Sequence, residues 1–356
     1  MAANVRVGQV SYDDVRSYAL PRQQLLAFVA PDFFGNPTHH AVFDLFSGAA
    51  RPLDRPLGEA AEERWGTEWG PKNYVEGTAY LGILPLLLAP IALLLRRDGA
   101  TWALALIAGV SLLLAFGTPL YGALFFGLPG VNQLHTPFRW IYPYSLCLAV
   151  LAGLGATAIG RPREAGARGH PDTATAGLAP GCPVARSPGS EVIGWLSLVL
   201  GALGAGGLLV AWLLRESWLG IAERAIRRSR ALAEAFPSAA ALFSYEWVNL
   251  FGLALLLLAS GLVLLALARR APGAKGLALA LVVGDLFSFG VGFNTVSDPA
   301  PLAFVPPEIQ TIQADPDLFR IATLGPDDTL PANTSMLFGL QDVRGYDTII
   351  LRDYVE

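Results

Sequence analysis

The sequence predicts an all-α polytopic membrane protein of about six transmembrane helices, with extracellular loops and the start of a C-terminal extracytoplasmic α/β or β-rich domain. Three observations carry this prediction. Only 15% of the 356 residues are charged and 53% are apolar, whereas soluble domains carry about a quarter charged residues and need them to cover their surface. The apolar residues run in long blocks. Those blocks contain prolines such as Pro85, Pro90 and Pro143, which break soluble helices but are tolerated in membranes. The same figures exclude a cytosolic enzyme and a disordered chain, and a net charge of −4 gives no electrostatic reason to bind nucleic acid.

Residues 1–77 form an extracytoplasmic loop region, polar and rich in aromatics and turn formers. The densest stretch runs from Ala30 through Asp32 and Phe33 to Pro37, followed by His39, His40 and Asp44. An ordered surface loop accounts for it. The functional alternative makes Asp32 a catalytic candidate, because a carboxylate can act as general acid or base. Paired His and Asp side chains can also hold a divalent metal ion, which makes His39 and His40 the candidate ligands, although adjacent histidines point in different directions. Two cysteines, Cys147 and Cys182, and four histidines in all form no zinc-ligand spacing.

A crossing needs roughly 20 apolar residues. Residues 78–295 form the transmembrane bundle, with spans at about 78–95, 101–117, 138–160, 192–214, 247–268 and 277–295. Pro119 to Val131 is too short to cross and reads as re-entrant or interfacial. Arginines set the orientation. Arg96–Arg97, the arginines from Arg161 to Arg186, and Arg269 to Lys275 mark three cytoplasmic connections. Both ends of the chain then face outward. The connection from Arg215 to Glu246 is the exception, an outward loop holding five arginines. Its 218–236 stretch reads as an amphipathic helix with a stripe of Ile221, Ala225, Arg228 and Leu232, able to lie on lipid headgroups.

Between the second and third spans, Asn132, Gln133, His135 and Arg139 gather in a short outward loop with no acidic neighbour. An arginine there is either an interfacial anchor or an anion ligand. The anion reading makes Arg139, His135 and Asn132 candidates for a lipid phosphate. Asp285 lies within the last span. Intramembrane acids are functional suspects, and the structural alternative is a hydrogen bond to a neighbouring helix or to Ser288.

Residues 296–356 have the composition of a soluble module. Pro306-Pro307-Glu308 starts a short helix, and Phe319 to Leu324 and Ile349 to Leu351 read as strands. The polar N-terminal region follows no earlier span, and the chain stops directly after a strand-like run, so the sequence reads as an internal piece of a longer protein.

The order of landmarks resembles the bacterial YfhO-like membrane proteins. Pro31 to Gly35 matches their extracellular Pro-x-Phe-Phe-Gly loop, and Tyr80, Gly82, Pro85 and Leu86 match a Tyr-x-Gly-x-x-Pro-Leu opening of a span. Phe138-Arg139-Trp140 opens a helix reaching Leu151-Ala152-Gly153-Leu154-Gly155. Asp285-Leu286 with Asn294, Phe319-Arg320-Ile321, Asn333-Thr334 and Gly339 to Asp347 follow in the family's order. The resemblance implies a GT-C-type glycosyltransferase of the bacterial cytoplasmic (inner) membrane. Such an enzyme takes a sugar from a polyprenyl-phosphate carrier and transfers it to a cell-envelope polymer acceptor. GT-C enzymes usually carry their catalytic acid in a first extracellular loop, a part this sequence appears without. The alternatives are a transporter or flippase for lipid-linked sugars, using Asp285, and a non-catalytic envelope scaffold.

Overall fold

The computed structural model describes residues 11–53, 77–129, 131, 137–159, 188–293, 298, 300–323, 330, 331 and 333–343. The chain divides into two compact units, one of residues 12–293 and a smaller one built mainly from 294–356.

The larger unit opens with helix α1 (Tyr12–Arg16) and a 3-10 turn (Arg22–Phe28). Strands β1 (Ala41–Asp44) and β2 (Ala49–Pro52) then pair as an antiparallel hairpin. Helices α2 (Ile83–Leu95), α3 (Gly99–Ala115), α4 (Pro119–Gly127) and α5 (Ile141–Ile159) follow. After them come α6 (Pro188–Leu213), α7 (Arg215–Arg228), α8 (Arg230–Ala235), α9 (Ala239–Ala268) and α10 (Ala274–Gly290).

Among the described residues, four helical segments are long and apolar enough to cross a membrane: Pro137–Ile159, Gly189–Leu213, Ala239–Ala268 and Ala274–Phe293. A fifth is possible only if α3 and α4 count as one broken span, and these are bent by 88°. That bend follows from Gly117, whose φ of +58° ends α3, and Pro119, which starts a new helix without needing a backbone donor. Residues 78–95 do not form one helix. Gly82 has φ +89°, so helix begins only at Ile83, and the remaining 13 residues rise about 20 Å, short of the roughly 30 Å hydrocarbon core. Leu106, Leu203, Leu213, Leu262, Leu279 and Phe287 are each more than half exposed, an apolar surface that water does not tolerate at this extent. The protein is a multi-pass membrane protein.

Small residues bring the helices together. α6 and α9 run antiparallel, with Gly194 against Gly261 and Leu265, and Gly201 against Ala254 and Leu258. A Cβ at Gly201 would lie 2.9 Å from the Ala254 carbonyl oxygen. Seven-residue spacing on both helices, Gly194/Gly201 and Ala254/Gly261, keeps the contact on one seam, where dispersion and polar contacts replace hydrophobic drive. Ser197 Oγ donates across it to the Leu257 carbonyl at 2.7 Å. α2 and α5 approach equally closely, Gly155 lying on the Leu88 carbonyl. Their residues Leu84, Leu88, Ile91 and Ala152 join Val263 and Leu264 of α9 in the main core.

The 30 residues of α9 span about 45 Å, more than a crossing requires. Its first two turns pack through Ala241, Leu242 and Tyr245 with Val42 of β1 and with Ala222, Leu232 and Phe236. Residues 247–268 are left for the crossing. The segment 218–236 is amphipathic, but its apolar face is turned from the expected stripe: Ala225 and Leu232 join this cluster, and Ile221 and Arg228 do not. The segment breaks at Ser229, whose side chain accepts from Leu232 N–H and caps α8. The buried face runs through Ala222, while Ile221 and Arg228 are exposed. The polar face holds Arg227 against Glu223 and Arg230 against Glu234.

In the smaller unit, helices α11 (Ala300–Ala303) and α12 (Pro307–Gln313) precede a 3-10 turn at Thr334–Phe338. Pro307 starts α12 as the sequence predicts. In the predicted strand at 319–324, the described residues 319–323 make an isolated parallel bridge, Ile321 to Asp342, and 324 lies outside the described residues. Gln313 Nε2 donates to the Phe338 carbonyl at 2.7 Å. The predicted run at 349–351 lies outside the described residues.

Candidate functional site

Asp285 is only 5% exposed, and its partners come from more than 200 residues away. Tyr80 Oη donates to one carboxylate oxygen at 2.6 Å and the Ile83 backbone N–H donates to the other at 3.0 Å. The carboxylate therefore caps the N-terminus of α2, where backbone donors are unpaired and the helix dipole favours a negative charge. Gly82 makes the approach possible. Its φ of +89° is one L-residues avoid, and a Cβ there would sit 3.1 Å from Asp285 Oδ2. Ser288 does not fill the structural role expected of it, because its hydroxyl donates to the Asp285 main-chain carbonyl, 2.8 Å away, and not to the carboxylate.

This cap forms one wall of a cleft of about 160 Å³ lined by residues that include Asp32, Tyr80, Asn249, Asp285 and Ser288. Asp32 sits on the opposite side, in the turn before the hairpin. Asn36 Nδ2 donates to its Oδ1 at 2.8 Å, and Asn249 Nδ2 donates to its carbonyl at 3.3 Å. Asn36 is itself buried and also accepts from Thr38 through its side-chain oxygen. The turn is thus held by an Asx network, and Asp32 is oriented by it.

His39 is half-buried, with Nδ1 3.1 Å from the Tyr245 hydroxyl. Burial holds its imidazole below the ordinary histidine range, with His40 adding to the effect and Asp32 opposing it. His40 is exposed. Among the described residues no three His, Cys, Asp or Glu side chains gather as a metal site. Asp44, buried at the end of β1, accepts from Phe46 N–H at 2.9 Å and pairs with Arg51 at 2.8 Å. Burial alone would raise its carboxyl, but the bonds from Phe46, Ser47 and Arg51 together hold it below the usual range.

The structure thus brings Asp32 and Asp285 to one cleft and places His39 beside it. Arg139 is elsewhere. It is exposed on the 3-10 turn Pro137–Trp140, whose Phe138 is buried with Ile141 and Tyr144, and it does not line the cleft. Asn132 and His135 lie outside the described residues. Tyr80 entered the sequence reading only as part of a span-opening motif, and Asn249 and Glu246 were not singled out from sequence. Comparison with protein-family models, curated proteins and solved structures returned no match.

Proposed function

We propose that this protein is a GT-C-type glycosyltransferase of the bacterial cytoplasmic membrane. In this reading it transfers sugar from a polyprenyl-phosphate carrier to an envelope-polymer acceptor on the outer face, where the N- and C-terminal segments also lie. One observation carries the reading: Asp32, an oriented carboxylate, lines a mainly apolar cleft that also holds Tyr80, Asn249 and Ser288 and is bounded by two apolar helices. A lipid-anchored donor reaches such a cleft from the bilayer, while a polar acceptor reaches it from the water.

In this mechanism the Asp32 carboxylate takes the proton from the attacking acceptor hydroxyl, a role worth about 10²–10⁴-fold in rate. Oxygen attacks the anomeric carbon, the bond to the carrier phosphate breaks, and the phosphate leaves with its electron pair. Asn249 and Ser288 supply polar contacts for sugar hydroxyls. The expectation that Arg139, with His135 and Asn132, binds the carrier phosphate has no part in this step, because Arg139 does not line the cleft in which the phosphate leaves. Asp285 has no part in proton transfer here, because Tyr80 and the α2 N-terminus occupy its oxygens. The same contacts count against the flippase alternative, which needs Asp285 free to exchange protons.

The test follows labelled sugar from a polyprenyl-phosphate donor into polymer, using protein in nanodiscs. Transfer that falls on Asp32→Asn supports the proposal. Movement of lipid-linked sugar across vesicles without transfer would replace it with the flippase reading.

A further inference from the structure

Both carboxylate oxygens of Glu246 are buried, and neither has a hydrogen-bond partner among the described residues. A carboxylate there would lose its hydration and gain no donor, so this position accepts the neutral acid. Glu246 also lies in a seam. Segment 32–46 docks on α9 at residues that flank it on both sides. Asn249 donates to the Asp32 carbonyl at 3.3 Å, the Tyr245 hydroxyl meets His39 at 3.1 Å, and Leu45 N–H donates to Ser244 Oγ at 3.1 Å.

The charges around it offer no compensation. Asp32 is the charge that acts on Glu246 directly. His39 and Asp44 lie further along the same segment, and Arg51 of the hairpin is paired with Asp44. Tyr245 adjoins Glu246 on α9. On α7, which packs over the same module, Glu223, Arg224 and Arg227 are exposed.

We propose that Glu246 is a proton-controlled latch for segment 32–46, and so for the cleft that Asp32, at the start of that segment, lines. Neutral Glu246 lets the segment seat on α9. When its O–H bond ionises and the proton passes to water, a second negative charge faces Asp32, and among the described residues no free cation in the seam offsets it. The segment then lifts, Glu246 is hydrated, and the cleft widens. The latch regulates the site of the proposed transfer and rests on that reading for its purpose, but it is measurable without turnover. The closed form keeps the proton over an interval in which the open form has lost it. Across that interval the opening constant rises about tenfold per pH unit, and it levels off once the closed form ionises as well.

The test is hydrogen–deuterium exchange of the full chain in nanodiscs, from mildly acidic to mildly alkaline pH, with each amide corrected for its intrinsic rate. Wild-type protection across residues 38–46, including the Leu45 amide, is expected to fall by up to about tenfold per pH unit and then level off. In Glu246→Gln protection stays high throughout. In Asp32→Asn the fall is smaller and levels off at lower pH, because without the opposing charge the closed form ionises sooner. Wild-type protection independent of pH overturns the latch, as does a Glu246→Gln variant with the wild-type response. Were that variant unable to fold, an Asp32→Asn fall as large as the wild type's, levelling off at unchanged or higher pH, would overturn it equally. A latch that behaves as expected in a protein with no transfer activity leaves the latch standing and removes the transferase reading.

Discussion

Replacing Asp285 with alanine takes away the acceptor of two donors at once, the Tyr80 hydroxyl and the Ile83 N–H. Each buried donor left unpaired costs about 1–3 kcal/mol, so the loss is about 2–6 kcal/mol, a large share of the roughly 5–15 kcal/mol that folded proteins have. Asp285→Asn keeps the shape and one accepting oxygen but loses the charge, so its cost falls between wild type and alanine. Tyr80→Phe removes one bond to a charged group, worth about 1.5–3 kcal/mol. Because Tyr80 and Asp285 share that bond, the double variant is less destabilised than the sum of the singles, with a coupling of about 0.5–3 kcal/mol. The assay is thermal unfolding in detergent, followed by circular dichroism. We expect Asp285→Ala to melt at least about 5 °C below wild type. The reasoning is refuted if Asp285→Ala melts with the wild type, or if the two single variants are strictly additive.

Two further perturbations probe the packing and the caps. Gly155→Ala drives a methyl into the Leu88 carbonyl and is expected to cost about 1–3 kcal/mol. Gly204→Ala makes only a 3.5 Å contact with Ala254 and should melt close to wild type, and equal melting of the two variants would contradict the close approach of α2 and α5. Asp98 caps α3, and hydrogen bonds from Thr101 N–H and Arg96 hold its carboxyl down at about 2. The folded value lies below the ordinary one of about 3.9, so the cap's contribution is complete above that value and is lost as pH falls through about 2. Exchange of the first-turn amides of α3 should therefore accelerate on acidification through that window and not in Asp98→Ala.

The long apolar helices were legible because a crossing leaves a compositional signature that needs no tertiary information. What escaped depends on partners distant in sequence. Asp285 was visible as a lone acid, but its role is decided by Tyr80 and Ile83, more than 200 residues earlier. The 78–95 segment read as one span because hydropathy does not register the positive φ of Gly82. The stripe on 218–236 was right at Ala225 and Leu232 and one position off at Ile221, where Ala222 is buried. Asp32 was legible as a candidate from its loop, whereas Asn249 and Glu246 became part of the site only when the fold laid that loop along α9.

The division of labour within the cleft, with Asp32 for chemistry and Asp285 for scaffolding, is tested most directly by one rate. That rate is sugar transfer from a polyprenyl-phosphate donor by Asp32→Asn protein whose thermal unfolding matches wild type. The account predicts a fall of about 10²–10⁴-fold with no change in melting. Transfer at the wild-type rate from that variant would contradict it.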